Sequence, residues 1–94
     1  MILEIFRLAT EKDEERMAIS AFVFVDVIGD HTKSAFKTIT RLPGVKNLYS
    51  VTGPYDLIVD IEAETLEELD ESVLSQIRSV DGVRKTTTSV ILKR

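Results

Sequence analysis

The chain has 94 residues, enough for one domain and one modest core. Apolar residues make up 44% and charged residues 30%, the balance of a globular chain, and the formal net charge of −4 argues against a broad nucleic-acid footprint. There is no cysteine and a single histidine, which excludes a disulfide framework, a thiolate metal site, a cysteine nucleophile and any multi-histidine cluster.

Residues 1–17 differ from the rest and read as an N-terminal extension. Ile2, Leu3, Ile5, Phe6, Leu8 and Ala9 form an apolar cluster, and an almost wholly charged stretch follows from Glu11 to Arg16. Ile2, Ile5, Phe6 and Ala9 fit helical spacing, so a short helix is expected, although the β-branched content would also suit a strand. The segment carries Glu4 and Arg7 and lacks the long apolar core of a secretory signal, and no run approaches the ~20 residues of a membrane span. A cytoplasmic location is the default expectation.

Met17 to Ile28 predicts the first strand. Ala21, Val23, Val25 and Val27 would share one face, and Phe22, Phe24 and Ile28, with Asp26 among them, the other. Both faces are mostly apolar, so both need covering. After a Gly29-Asp30-His31 turn, Ala35, Phe36, Ile39 and Leu42 set a helical stripe over 32–42, with Asp30 or Thr32 as cap and Pro43-Gly44 as stop. Val45 to Thr52 predicts a second strand, with Val45, Asn47, Tyr49 and Val51 on one face and Lys46, Leu48, Ser50 and Thr52 on the other. Gly53-Pro54 turns the chain into a third strand over 55–63, which gives a hairpin.

Thr65-Leu-Glu-Glu68 is a capping-box signature, in which Glu68 reaches back to the amide of Thr65. Leu66, Leu69, Val73, Ile77 and Val80, with Leu74 beside them, form the stripe of a second helix. Asp81-Gly82 ends it, and Val83 to Leu92 predicts the last strand. Ile39-x-x-Leu42-x-Gly44-Val45-Lys46 recurs as Ile77-x-x-Val80-x-Gly82-Val83-Arg84, an offset of 38 residues. Two strand–helix–strand halves give βαββαβ: an α+β, ferredoxin-like arrangement with a four-stranded antiparallel sheet and both helices on one face.

Two helices leave the second face of that sheet open. Phe22 and Phe24 alone carry roughly 300–500 Å² of side chain. At ~25 cal/mol per Å², covering them is worth on the order of 8–12 kcal/mol as an upper bound. A second copy of the same face would cover it, giving a dimeric α/β sandwich; the alternative is that residues 1–17 fold over it.

No catalytic constellation, Walker loop or dinucleotide fingerprint is present. His31 is the one conceivable imidazole base or haem ligand, as in dimeric ferredoxin-like monooxygenases; a lone histidine in a turn, with no visible partner, reads first as a surface or capping residue. Around the second turn, Gly53, Tyr55 and Asp56 stand together. A carboxylate beside free backbone amides suits a zwitterion, with Asp56 for an ammonium and the amides for a carboxylate; alternatively, Asp56 bonds nearby backbone. Thr86 and Thr88 share a face of the last strand, where they either line a polar pocket or simply suit β-structure.

Leu42-Pro-Gly-Val, then Tyr49-Ser-Val-Thr-Gly-x-Tyr-Asp-Leu57, then Gly82-Val-x-x-Thr86-x-Thr88, resembles the effector-binding (RAM) domain of the Lrp/AsnC transcription regulators over residues 18–94. The resemblance implies dimers through the sheets, further assembly into octamers or similar rings, and a small amino-acid effector bound between dimers. It assigns the ligand to Gly53, Tyr55, Asp56, Thr86 and Thr88, with Thr52 a weaker candidate. It implies neither cofactor nor metal. Seventeen residues before Ala18 are too few for the helix-turn-helix domain of full-length members, so a stand-alone, non-enzymatic sensor is expected. It would not bind DNA itself and would act through full-length regulators. A purely structural oligomerisation module is the third possibility.

Overall fold

The computed structural model describes residues 18–92. The expected N-terminal helix lies outside the described residues. β1 (Ile19–Val27), α1 (Thr32–Ile39), β2 (Val45–Ser50), β3 (Leu57–Ala63), α2 (66–78) and β4 (Val83–Val90) follow in chain order. The four strands form one antiparallel sheet in the order β2-β3-β1-β4, the predicted ferredoxin-like arrangement.

The alternation of β1 decides the layering. Ala21, Val23 and Val25 are wholly buried, Val27 nearly so, and they pack with Leu57, Val59 and Ile61 of β3 beneath the helices. Ala35 and Ile39 of α1 and Leu69, Val73, Leu74 and Ile77 of α2 close this core. The other face carries Phe22, 37% exposed, Phe24, half-buried, and Tyr49, 51% exposed. Part of each phenylalanine is therefore already shielded within one chain, and the upper bound for covering the pair shrinks accordingly.

α2 begins at the predicted Thr65, whose side-chain oxygen accepts from the Glu68 amide at 3.0 Å. Glu68 reaches back one residue further than expected: its Oε1 accepts from the Glu64 amide, not that of Thr65. The helix runs as α-turns at Leu66–Glu68 and Ser75–Arg78 around a π-helical stretch at Leu69–Leu74. The π-helical stretch carries Val73 and Leu74 into the core together. Leu66, expected in the stripe, is 57% exposed in the first turn.

Several other expectations need correction. α1 ends at Ile39 rather than Leu42, because Leu42 closes a tighter turn onto the Ile39 carbonyl. Its N-cap is His31, and neither Asp30 nor Thr32 caps it. β2 and β4 stop at Ser50 and Val90, short of the predicted Thr52 and Leu92, and β3 starts at Leu57 rather than Tyr55. The predicted faces of β2 fail at Val45. Val45 pairs with Ile61, but Asn47 pairs with Asp60, so Lys46 is an extra residue in a bulge. The bulge returns Val45 and Leu48 to the core side, while Asn47 and Tyr49 stay on the open face.

Candidate functional site

The β2–β3 loop is built by hydrogen bonds at its base. The Val51 amide donates to the Asp56 carbonyl at 3.0 Å, which closes the loop, and the Asp56 amide donates to the Val25 carbonyl at 2.9 Å, which ties it to β1. The Val27 amide donates to Asp56 Oδ2 at 2.8 Å. One carboxylate oxygen thus holds backbone, as the second reading of Asp56 expected; the other, Oδ1, accepts no hydrogen bond among the described residues. Asp in an extended segment is thereby explained without exhausting its capacity.

Thr52, Gly53 and Pro54 form the exposed tip, with a cis Gly53-Pro54 peptide. A methyl group built on Gly53 would meet nothing within 4 Å, so nothing in this chain requires glycine there. Tyr55 turns back over the open face and stacks on Phe24, ring centres 5.4 Å apart and planes inclined by 39°.

Thr86 and Thr88 lie elsewhere. They pair with Val25 and Val23, whose side chains are buried beneath the helices, so both threonines face the helix side of the sheet. Thr87 and Ser89, opposite Phe24 and Phe22, face the open side. A single chain therefore gathers Thr52, Gly53, Tyr55 and Asp56 on one loop and sets the two threonines on β4, facing the helix side.

The sequence reading missed a charged group beside this loop. Asp26, on the open face, accepts from Arg84 Nη2 at 2.8 Å. That hydrogen bond holds the Asp26 carboxyl below its ordinary value; partial desolvation opposes it, while the charge of Arg84, the neighbouring Asp56 carboxyl and Lys85 reinforce it. Arg84 is in turn held protonated first by Asp26 and also by Asp56. The signal for this group was an aspartate inside an apolar strand, where a carboxylate needs a partner.

His31 packs its ring against Gly82, with Nδ1 3.7 Å from Asp30 and Nε2 3.9 Å from Asp81. An open groove of about 660 Å³ beside α1 is lined by Thr32, Lys33, Ser34, Phe36, Lys37 and Ser50, and by none of the six predicted ligand residues. Among the described residues no helix is long and apolar enough to cross a membrane, and no cluster of metal-ligating side chains occurs.

A family model described as the Lrp/AsnC ligand binding domain matches residues 20–94. The homocitrate synthase of Sulfurisphaera tokodaii is 36% identical over 64 residues, which is 68% of this chain and 14% of that enzyme. An uncharacterized HTH-type transcriptional regulator of Pyrococcus abyssi is 30% identical over 73 residues, 78% of this chain and 46% of the regulator. The chain thus spans less than half the length of these curated relatives. Among solved structures, TTHA0845 from Thermus thermophilus superposes with a TM-score of 0.75 at 38% identity, covering 81% of this chain and 95% of that one. The L-Met complex of transcriptional regulator NMB0573 from Neisseria meningitidis shares the fold, with a TM-score of 0.70 at 22% identity over 80% of this chain and 50% of that one.

Proposed function

The chain belongs to the Lrp/AsnC ligand-binding domain family, and from that premise we propose that it is a non-enzymatic, cytoplasmic sensor module that binds a small amino acid and passes the binding event to regulators of amino-acid metabolism. The observation that carries this reading is the β2–β3 loop. It is fixed to β1 by two hydrogen bonds, leaves one Asp56 oxygen open, and surrounds Gly53 with empty space. A bound α-amino group needs such a carboxylate, and a tip without a side chain lets a ligand or a neighbouring chain approach the backbone closely. The L-Met complex of a protein with this fold supports the same ligand class.

Association completes the proposal. The open face presents Phe22, Phe24, Tyr49 and Tyr55, and a second copy of that face covers it in a two-fold sandwich. Ile28, 43% exposed, and Val51, 37% exposed, lie at the loop end of the sheet and supply a contact for assembly of dimers into rings. Thr86 and Thr88 join the ligand from a neighbouring subunit, because in their own chain they face away from the Tyr55 side of the sheet. A ligand shared by two subunits stabilises the assembly that builds its site. Full-length regulators of the family are the partners this module would reach by mixed assembly.

The test is Asp56→Asn. The amide oxygen can still accept from the Val27 amide, so the fold is retained while the charge is lost. A melting-temperature screen with the standard L-amino acids should find at least one that stabilises the native protein and does not stabilise the variant. If none stabilises the native protein, the sensor reading fails. The homocitrate synthase relatives favour a second reading, in which the module senses the ligand for a biosynthetic enzyme rather than for a regulator. In that case its ligand-dependent partner is an enzyme, and binding is read as a change in turnover rather than in DNA occupancy.

A further inference from the structure

The 38-residue repeat extends to the irregularities of the sheet. Gly44 and Gly82 both have positive φ, 89° and 94°. Each is followed by valine and then by a basic residue. Lys46 is the extra residue between the Val45–Ile61 and Asn47–Asp60 pairs. Arg84 is the extra residue between the Val83–Val27 and Lys85–Asp26 pairs. The Gly44 carbonyl accepts from the Glu62 amide and the Gly82 carbonyl from the Ile28 amide. Lys46 and Arg84 are therefore equivalent, as are Glu62 and Ile28, and Asp60 and Asp26.

The side chains break this equivalence at one end only. Lys46 pairs with Glu62 at 2.9 Å, and Asp60 accepts from Asn47 at 3.1 Å. At the other end, the position of Glu62 holds Ile28, so Arg84 finds no acid there. It crosses instead to Asp26 at 2.8 Å, where it also comes under the charge of Asp56. A bulge re-aims a side chain. Here it re-aims a guanidinium toward the carboxylate at the base of the β2–β3 loop, at the end of the sheet that carries the loop. Arg84 stays 62% exposed and uses one of its five donors on Asp26.

We propose that Arg84 is the carboxylate anchor of the effector site: its free donors take the ligand's α-carboxylate while Asp56 Oδ1 takes the α-ammonium. Asp26 orients the guanidinium from behind. This rests on the sensor reading above and replaces the loop amides as the carboxylate's main partner. A planar fork matches a carboxylate in two parallel bonds, which a loop tip of which one residue is proline supplies less well.

The experiment compares each standard L-amino acid that stabilises the native protein with its own carboxamide, by calorimetry, on the native protein, Arg84→Gln and Arg84→Lys. Circular dichroism and native mass are recorded for all three. The native protein should prefer the acid over the amide by about ten- to a hundredfold, the range of a charge-assisted hydrogen bond. Arg84→Gln should weaken acid binding by a similar factor and bind acid and amide alike at unchanged mass, and Arg84→Lys should recover part of the preference. Retained acid-over-amide preference in Arg84→Gln overturns the proposal and returns the carboxylate to the loop amides. A changed mass with the preference intact also overturns it and makes Arg84 an interface residue. If no standard amino acid binds the native protein, the sensor reading itself falls, and the anchor with it.

Discussion

Gly82→Ala is predicted to be among the costliest small substitutions in this protein. The residue holds φ at +94°, where an L side chain costs roughly 1–2 kcal/mol. A methyl group at this position would lie 2.5 Å from His31 Cβ, 2.8 Å from Cγ and 3.0 Å from Cδ2. The nearest of these atoms is attached to the backbone at the start of α1, so a swing of the imidazole does not relieve it. Overpacking of that kind adds about 1–3 kcal/mol. The sum, roughly 2–5 kcal/mol, is a drop of at least about 8 °C in Tm on the ~4–8 °C per kcal/mol expected for a domain of this size. Urea unfolding followed by circular dichroism, at one fixed protein concentration so that any association enters every variant alike, measures it. His31→Gly removes the overlapping Cβ and is tolerated at an N-cap. The double variant should therefore regain the overlap and retain only the φ cost, a coupling of about 1–3 kcal/mol. If Gly82→Ala is neutral, or the double variant is no more stable than Gly82→Ala, the account of this turn is wrong.

Gly53→Ala tests the opposite case. With nothing within 4 Å and no positive φ, its stability should stay within about 0.5 kcal/mol of native. Its affinity for a stabilising L-amino acid should fall at least ~tenfold by calorimetry, and unchanged affinity would remove the close-approach role of the tip. The Asp26 carboxyl should titrate below the ordinary aspartate value of 3.8, chiefly because Arg84 hydrogen-bonds its charged form. A depressed carboxylate contributes stability that is present above the unfolded value and is lost as pH falls through the folded one, so the loss is confined to pH below about 3.8. Carboxyl-carbon NMR should show the Asp26 midpoint returning toward 3.8 in Arg84→Gln; no movement would deny the pair its role.

The fold was legible because two periods are clean in the sequence. Valines alternate through β1, and the stripe of α2 holds from Leu69 to Val80. The Gly-Val repeat supplied the topology. The misses share one cause: each depends on a neighbour in space rather than in sequence. Lys46 bulges where the pairing with β3 shifts from Val45–Ile61 to Asn47–Asp60. The first turn of α2 leaves Leu66 outside the core. At the site, the loop residues could be found from Gly-x-Tyr-Asp, since chemistry and turn coincide there. The placement of Thr86 and Thr88 on the helix side follows from the β1–β4 register, and the Arg84–Asp26 pair joins residues 58 apart in the chain.

The central claim is that the open sheet face is covered by another copy of the same chain, and native mass tests it most directly. Phe22 is 37% exposed, so association can cover about 75 Å² of it, worth roughly 2 kcal/mol per copy. Light scattering at micromolar concentration should give the native protein at twice 10.6 kDa or a higher even multiple, and Phe22→Asp at 10.6 kDa with its circular dichroism intact. A native particle of 10.6 kDa at every concentration, with or without a stabilising amino acid, would contradict the account.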